Sequence, residues 1–227
     1  MSSNLPRIDY YFDVVSPYSW IGFEILQKLE HQWKGVNIRY IPFCIRQVMV
    51  TSGNRPPAML KSRSIMLMND VVRTAKHWDV PLTVPKQFKK WILEYSTIPA
   101  QQLLLVLDEM DTNLMIKAAR EMWMRLWSRN EKIFEDEDFM EVLKAIGVKN
   151  PEKLIEKSKE EKYERKLLDE CTEEALKTHA YGAPWINVQT SDGKVHAFFG
   201  SDRFNLIAEL LNQPQPVPDK FMNQSKL

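Results

Sequence analysis

The first part of the chain changes its hydrophobic pattern twice, from strand-like to helix-like and back. Residues 8–14 form an apolar run rich in β-forming side chains, and this run predicts a strand. The apolar side chains that follow recur at helical spacing and predict a helix over residues 17–32. Alternation returns over residues 36–43 and predicts a second strand. Because a helix connects these two strands, we expect them to pair in parallel in one sheet.

The middle and the end of the chain carry two further patterns. From residue 58 to about residue 179 the apolar positions recur at helical spacing almost throughout. Residues 184–188 and 194–199 then predict two strands joined by a hairpin turn. A final helix follows, and Ser201 with Asp202 is expected to form its N-terminal cap.

This order of elements predicts an α/β protein built from two units. Residues 1–57 and 180–227 together form a thioredoxin-like domain, and residues 58–179 form an all-helical insertion that interrupts it. Within the first unit, residues 52–57 are rich in glycine, proline and asparagine, and this composition predicts a loop after the second strand.

The stretch Ser16-Pro17-Tyr18-Ser19-Trp20 forms the corner between the first strand and the first helix. Serine at the N-cap, followed by proline at the first helical position, is a common way for a helix to begin. Such a corner presents free backbone N–H groups and a partial positive charge. Thioredoxin-like proteins carry a dithiol at this corner, whereas this chain has serine at both cysteine positions. The corner can hold a thiolate but has no thiol of its own, which suggests that the sulfur arrives on a ligand.

Charge and composition narrow the classes of function. The 227 residues carry a formal net charge of +1, which gives no electrostatic reason to expect a nucleic acid or an anionic membrane as a partner. No apolar run is long enough to span a bilayer. The two cysteines, Cys44 and Cys171, are far apart and are expected to be reduced thiols. The four histidines match no metal-binding pattern, so we expect no metal centre.

The last three residues, Ser225-Lys226-Leu227, match the tripeptide that the peroxisomal import receptor reads. The proline-rich residues 213–218 precede them and should hold the tail extended and accessible. We therefore expect the chain to engage that receptor and to reside in the peroxisome.

With these features in place, the sequence resembles the kappa class of glutathione transferases over essentially its whole length. The matching motifs are Tyr11-Phe12-Asp13-Val14 with the corner, residues 52–57, Glu121-Met122-Trp123-Met124, Trp127-Ser128-Arg129-Asn130-Glu131, Tyr181-Gly182-Ala183-Pro184 and Phe199-Gly200-Ser201-Asp202-Arg203. The resemblance implies a homodimer that joins the sulfur of glutathione to small hydrophobic electrophiles, with glutathione as co-substrate and no other cofactor. It also implies a mitochondrial or peroxisomal location, of which the C-terminal tripeptide selects the peroxisome.

The same resemblance assigns roles to the candidate site residues. Ser16 is expected to be catalytic, since its hydroxyl would donate a hydrogen bond to the glutathione sulfur and favour the thiolate. Pro17 and Tyr18 complete the corner against which glutathione would lie. Ala183 and Pro184 are expected to be joined by a cis peptide bond, with the backbone of Ala183 pairing with the cysteinyl part of glutathione.

Further groups are expected at the two ends of glutathione. Ser201 would bind the γ-glutamyl carboxylate, and Asp202 would pair with the α-amine. The Asn54 amide would bind the glycyl end, where Arg63 could supply a positive charge or could instead lie at a dimer interface.

The electrophile pocket is less defined. Ala183 stands where related chains often carry leucine, and Trp185 also differs, so the resemblance leaves the shape of this pocket open. Methionine and tryptophan side chains of the insertion could line an adaptable apolar pocket, although most are expected to be core and two or three to touch substrate. These candidates are Met59, Met66, Met68, Met122, Met124, Trp123 and Trp127.

Other functions are compatible with the same features. The fold could also reduce lipid hydroperoxides with glutathione. A related enzyme class uses a similar serine corner and glutathione to isomerise hydroxychromene carboxylates. A non-catalytic module that holds peptides or lipids at the cis-proline edge is a further alternative. A dithiol oxidoreductase is excluded, because neither Ser16 nor Ser19 carries a thiol.

Overall fold

The computed structural model describes residues 5–56 and 61–222 of the chain. Within these residues, four strands form one sheet: β1 (Arg7–Phe12), β2 (Asn37–Pro42), β3 (Trp185–Gln189) and β4 (Val195–Phe199). Their order across the sheet is β2-β1-β3-β4, with β1 parallel to β2 and with β3 antiparallel to both β1 and β4. The predicted parallel unit and the predicted C-terminal hairpin are therefore both present.

Two helices flank the parallel pair of strands. α1 (Pro17–Glu30) connects β1 to β2 as predicted, although it ends before residue 32. α2 (Ile45–Ser52) follows β2 and was not predicted from the sequence. Val48 is the one buried residue in α2, so no apolar stripe marks this helix in the sequence. Gly53 ends α2 with a left-handed backbone at φ +71°.

Helices make up most of the chain between residue 61 and the third strand. They are α3 (Lys61–His77), α4 (Phe88–Glu94), α5 (Ile98–Met110), α6 (Thr112–Trp123), α7 (Asp136–Ala145), α8 (Pro151–Ser158), α9 (Glu161–Arg165) and α10 (Glu173–Leu176). α6 and α9 each continue into a wider π-helical segment, at Met124–Arg129 and at Lys166–Thr172. No described helix is long and apolar enough to cross a bilayer. The element order confirms the predicted α/β class, whereas the boundaries of the two units stay a prediction.

The two faces of the sheet carry separate hydrophobic cores. Phe12 points to one face, where its ring lies 5.9 Å from that of Phe23 and 5.4 Å from that of Trp123. Tyr11 points to the opposite face and packs against Phe43 at 6.1 Å, because successive side chains of a strand alternate in direction. The core on the first face includes α1 and α6, and the core on the second includes α9 and α10.

α5 attaches the helical insertion to the sheet. Its residues 100–107 are all buried and contribute to both cores. The fully buried Gln101 amide donates hydrogen bonds to the carbonyls of Phe12 and Phe43, at 2.7 and 2.9 Å. These carbonyls lie at the ends of β1 and β2, so the start of α5 lies next to the corner that precedes α1.

The C-terminal part returns to the sheet and then to α1. α11 (Phe204–Leu210) and α12 (Asp219–Met222) follow β4. Residues 213–218 contact the segment that follows α1, since the Trp33 indole donates to the Pro214 carbonyl at 2.9 Å and the Gln213 amide donates to the Lys34 carbonyl at 3.2 Å. Lys28 of α1 also pairs with Asp219 at 2.8 Å. The tripeptide Ser225-Lys226-Leu227 lies outside the described residues.

Candidate functional site

Ser16 caps the first helix at the carboxyl end of β1. Its backbone is extended, at φ −85° and ψ 118°, and its Oγ accepts a hydrogen bond from the backbone N–H of Ser19 at 3.1 Å. Pro17 occupies the start of the helix, where a missing N–H leaves no helical bond unmade. The predicted capping arrangement of the corner is present, and Ser16 is buried at its centre.

A second hydrogen bond of Ser16 connects the corner to a distant segment. Its hydroxyl donates to the carbonyl of Ala183 at 3.3 Å. The Ala183–Pro184 peptide bond is cis, as the sequence analysis predicted. The backbone N–H of Gly200 in turn donates to the Pro184 carbonyl at 3.1 Å. Three segments that are far apart in the chain therefore meet around the Ser16 hydroxyl.

These segments form one wall of a cavity of about 900 Å³. Seven of the eight candidate binding residues line the cavity: Ser16, Pro17, Tyr18, Asn54, Ala183, Ser201 and Asp202. Pro184 lies behind Ala183 and is not part of the lining. Arg63 is exposed on α3 and is likewise absent from the lining.

The helical insertion contributes a set of apolar side chains to the cavity lining. These are Leu67, Met68, Phe88, Ile92, Leu93, Trp127 and Phe134. Of the methionine and tryptophan candidates, Met68 and Trp127 are among these residues, and Met59 lies outside the described part of the chain. Hydrogen-bonding groups and apolar side chains line the same cavity, which is the usual composition of a small-molecule site.

Ser201 and Asp202 do not cap the final helix, so that prediction was wrong. α11 begins at Phe204, and Arg203 is its N-cap residue. Ser201 and Asp202 lie in the preceding turn, where Gly200 adopts φ +99°. A Cβ atom at Gly200 would lie 2.7 Å from Asp202 Oδ1, so glycine permits this close turn. Ser201 is buried and Asp202 is exposed, and both remain on the cavity wall.

The Asn54 side chain already makes two hydrogen bonds within the protein. Its amide donates to the Tyr181 carbonyl at 2.6 Å, and its Oδ1 accepts from the Arg55 N–H at 2.8 Å. Asn54 therefore joins the loop after α2 to the segment that precedes the cis-proline. One amide proton and one oxygen lone pair remain for a ligand.

Tyr18 connects the corner to the insertion. Its hydroxyl donates to Asp70 Oδ2, on α3, at 2.6 Å. Burial raises the pKa of Tyr18 well above its usual value, and the hydrogen bond to Asp70 raises it further, so the phenol stays protonated. The sequence offers no signal for this pair, because 52 residues separate the partners.

Asp13 is a second residue that the sequence analysis did not assign to the site. It is fully buried beneath the corner, and its carboxylate accepts three hydrogen bonds. Burial raises the pKa of Asp13 to about 6, although the hydrogen bonds from Val15, Ile45 and Thr97 oppose this effect. The motif Tyr11-Phe12-Asp13-Val14 contains this aspartate, but its local sequence does not show that it is buried.

The two cysteines are free and buried. Cys44 lines the cavity, and burial raises the pKa of its thiol above the usual value. Burial also raises the pKa of Cys171, to about 11. Neither thiol is therefore prepared as a thiolate nucleophile. Among the described residues, no group of three or more histidine, cysteine, aspartate or glutamate side chains could hold a metal ion.

Comparisons with known proteins agree with this architecture. The pattern of the DSBA-like thioredoxin domain family matches residues 7–212. The chain is 66% identical over 224 residues to glutathione S-transferase kappa 1 of Caenorhabditis elegans, covering 98% of this chain and 99% of that protein. It is 36% identical over 219 residues to glutathione S-transferase kappa 1 of Homo sapiens, covering 94% and 96%. A solved 2-hydroxychromene-2-carboxylate isomerase superposes with a TM-score of 0.72 at 18% identity, over 97% of this chain and 98% of that one.

Proposed function

Because this chain belongs to the DSBA-like thioredoxin domain family and to the kappa class of glutathione S-transferases, we propose that it conjugates glutathione to small hydrophobic electrophiles, with Ser16 stabilising the attacking thiolate. One observation carries the assignment of Ser16. Its hydroxyl lies on the cavity wall and donates, at 3.3 Å, to the carbonyl that precedes a cis-proline. That carbonyl is the group an extended cysteinyl backbone would engage.

Binding of glutathione would exchange one hydrogen bond for two. The single Ser16 hydroxyl proton is directed at the Ala183 carbonyl, while Ser16 Oγ accepts from the Ser19 N–H. The cysteinyl N–H of glutathione would take over the Ala183 carbonyl, as in strand addition. The Ser16 proton would then be free to donate to the sulfur, and the Ser19 N–H would keep the oxygen in place.

The energies involved are sufficient to ionise the thiol at neutral pH. A hydrogen bond to a charged group contributes about 1.5–3 kcal/mol, and the start of a helix adds about 0.3–1 kcal/mol. Together they would lower the pKa of the thiol by about two units, at about 1.36 kcal/mol per unit. A thiol with a pKa near about 8.5 would then be ionised about 20- to 30-fold more at pH 7. The remaining acceleration has to come from positioning the two reactants in the cavity.

The other binding residues have roles that follow from their places on the wall. Ser201 and Asp202 lie together at the turn after β4 and would hold the γ-glutamyl carboxylate and amine. Asn54 would use its second amide proton for the glycyl end, since the first is donated to Tyr181. The apolar side chains from α3, α4 and the segment after α6 would receive the electrophile.

A titration with a matched pair of serine variants tests the proposal. Thiolate absorbance of bound glutathione is followed against pH in wild type, Ser16→Ala and Ser19→Ala, together with turnover of a model aryl halide. Ser19 belongs to the same corner, but its buried Oγ has no hydrogen-bond partner among the described residues. Ser16→Ala should return the pKa of the thiol most of the way to its free value and reduce turnover at least tenfold, by about 1.4 kcal/mol or more. Ser19→Ala should leave both close to wild type.

Assays on the same purified protein distinguish the transferase from the alternative functions. A wild type that neither lowers the thiol pKa nor turns over the halide would favour a non-catalytic peptide- or lipid-binding protein. Glutathione-dependent conversion of a hydroxychromene carboxylate at a higher rate than conjugation would favour the isomerase, for which the superposition reported above supports only a shared fold. Oxidation of glutathione by a lipid hydroperoxide would add a peroxidase activity to the transferase.

Location and assembly are proposed from the sequence. Ser225-Lys226-Leu227 supports import into the peroxisome through the receptor for C-terminal signals, with the mitochondrion as the second choice. A fluorescent protein fused to the N-terminus should label peroxisomes, and removal of the three residues should abolish that label. A homodimer is the expected assembly, and sedimentation of the purified protein would measure it.

A further inference from the structure

Asp13 links three segments that surround the corner. Its Oδ1 accepts from the Val15 N–H at 3.0 Å, one residue before Ser16. Its Oδ2 accepts from the Ile45 N–H at 3.2 Å, at the start of α2. The same oxygen accepts from the Thr97 hydroxyl at 3.0 Å, directly before α5. One carboxylate therefore connects a strand end, a short helix and the insertion.

The three residues that donate hydrogen bonds to the Asp13 carboxylate also line the cavity. Val15, Ile45 and Thr97 line it, whereas Asp13 does not. The Asp13 backbone carbonyl also accepts from the Ser16 N–H at 3.0 Å. The side chain and the backbone of Asp13 therefore both stabilise the turn that contains Ser16. Asp13 thus accepts hydrogen bonds from the backbone N–H groups of Val15 and Ser16, although it does not itself line the cavity.

We propose that Asp13 is a positioning residue for the reaction, which holds Ser16, the start of α2 and the start of α5 in one arrangement around the sulfur of bound glutathione. The inference rests on the proposed function. The Ser16 hydroxyl has to redirect its hydrogen bond from the Ala183 carbonyl to the sulfur, and this exchange requires the Ser16 oxygen to be placed within a few tenths of an ångström. Three N–H and O–H donors around this buried carboxylate depend on it for their hydrogen bonds.

The geometry explains why a neutral residue would not replace it. An amide in the place of the carboxylate has one acceptor oxygen and one donor nitrogen, so at least one of the three donors would face another donor. The nearest of the three to the chemistry is the Val15 N–H, and its displacement would turn the Ser16 side chain. We expect the substitution to change the pKa of the bound glutathione thiol more than the affinity for the two ends of glutathione.

Three variants separate positioning from stability. Asp13→Asn should raise the pKa of the bound thiol by about one unit and lower kcat about tenfold, with KM for glutathione within about twofold of wild type. Thr97→Val removes the hydroxyl donor at nearly constant shape and should give a smaller shift in the same direction, whereas Thr97→Ser should keep the wild-type value. This pair tests the proposal even if Asp13→Asn does not fold.

Asp9→Asn is the matched control. Asp9 is a buried carboxylate at the other end of β1, paired with Arg7 and Arg39 at 2.9 and 2.8 Å, and it lies away from the cavity. This variant should lower stability in urea while leaving the pKa of the bound thiol unchanged. A wild-type thiol pKa in Asp13→Asn, or equal values for Thr97→Val and Thr97→Ser, would overturn the inference. An undepressed thiol in the wild type would instead refute the proposed function.

Discussion

The packing of Gly22 against Tyr10 gives a prediction whose size follows from the structure. A Cβ atom at Gly22 would lie 2.5 Å from Tyr10 Oη, which is fully buried and donates to the Ser19 carbonyl at 2.7 Å. Gly22→Ala gains about 1 kcal/mol of helix propensity. It loses about 1–3 kcal/mol to overpacking and about 0.5–1.5 kcal/mol if the phenol gives up its hydrogen bond. We expect a net loss of about 1–3 kcal/mol in the free energy of unfolding.

A double-mutant cycle in urea isolates the cause. Tyr10→Phe removes the oxygen, after which the nearest neighbours of the new Cβ are Ser201 Cβ at 3.3 Å and the ring carbon Cζ of residue 10 at 3.4 Å. Gly22→Ala should therefore cost little in the Tyr10→Phe background, and the coupling should be about 1–3 kcal/mol. Additive losses, or a Gly22→Ala variant as stable as wild type, would refute the reasoning. Because Ser201 is the next neighbour, the single variant should also raise KM for glutathione.

Three further predictions follow from individual side chains. Burial raises the pKa of Asp13 from 3.8 to about 6, so the folded protein holds this proton more tightly than the unfolded chain does. The stability of wild type relative to Asp13→Asn should therefore fall by about 2 kcal/mol between about pH 4 and pH 7, and a flat difference in urea unfolding would contradict this. Tyr18→Phe removes the hydrogen bond to Asp70 and should lower the free energy of unfolding by about 1 kcal/mol and raise KM for glutathione. Calorimetry measures the first effect and steady-state kinetics the second. Unchanged values of both would show that the Tyr18–Asp70 hydrogen bond contributes neither to stability nor to binding. Cys171 should react with a neutral alkylating reagent at pH 7 only after unfolding, as judged by mass spectrometry, because it is buried away from the cavity and burial raises the pKa of its thiol; rapid labelling of Cys171 in the folded protein would contradict this.

The sequence by itself determined the order of the strands and helices around the corner. Hydrophobic periodicity is a local property, so alternation and helical spacing located all four strands and α1 to within a few residues. The helix start at Ser16 and Pro17 is equally local, because a cap depends on neighbours three residues away. α2 was missed for the same reason, since its single buried residue leaves no pattern to detect.

Only the tertiary structure decided how the cavity is built. Asp13 meets Ile45 and Thr97, Tyr18 meets Asp70, and none of these contacts leaves a trace in the order of residues. Ser201 and Asp202 belong to a turn that follows Gly200, whose φ is +99°, so α11 begins only at Phe204. Local sequence sets the conformation of a few residues at a time, whereas a buried hydrogen bond depends on which distant segments the packed cores bring together.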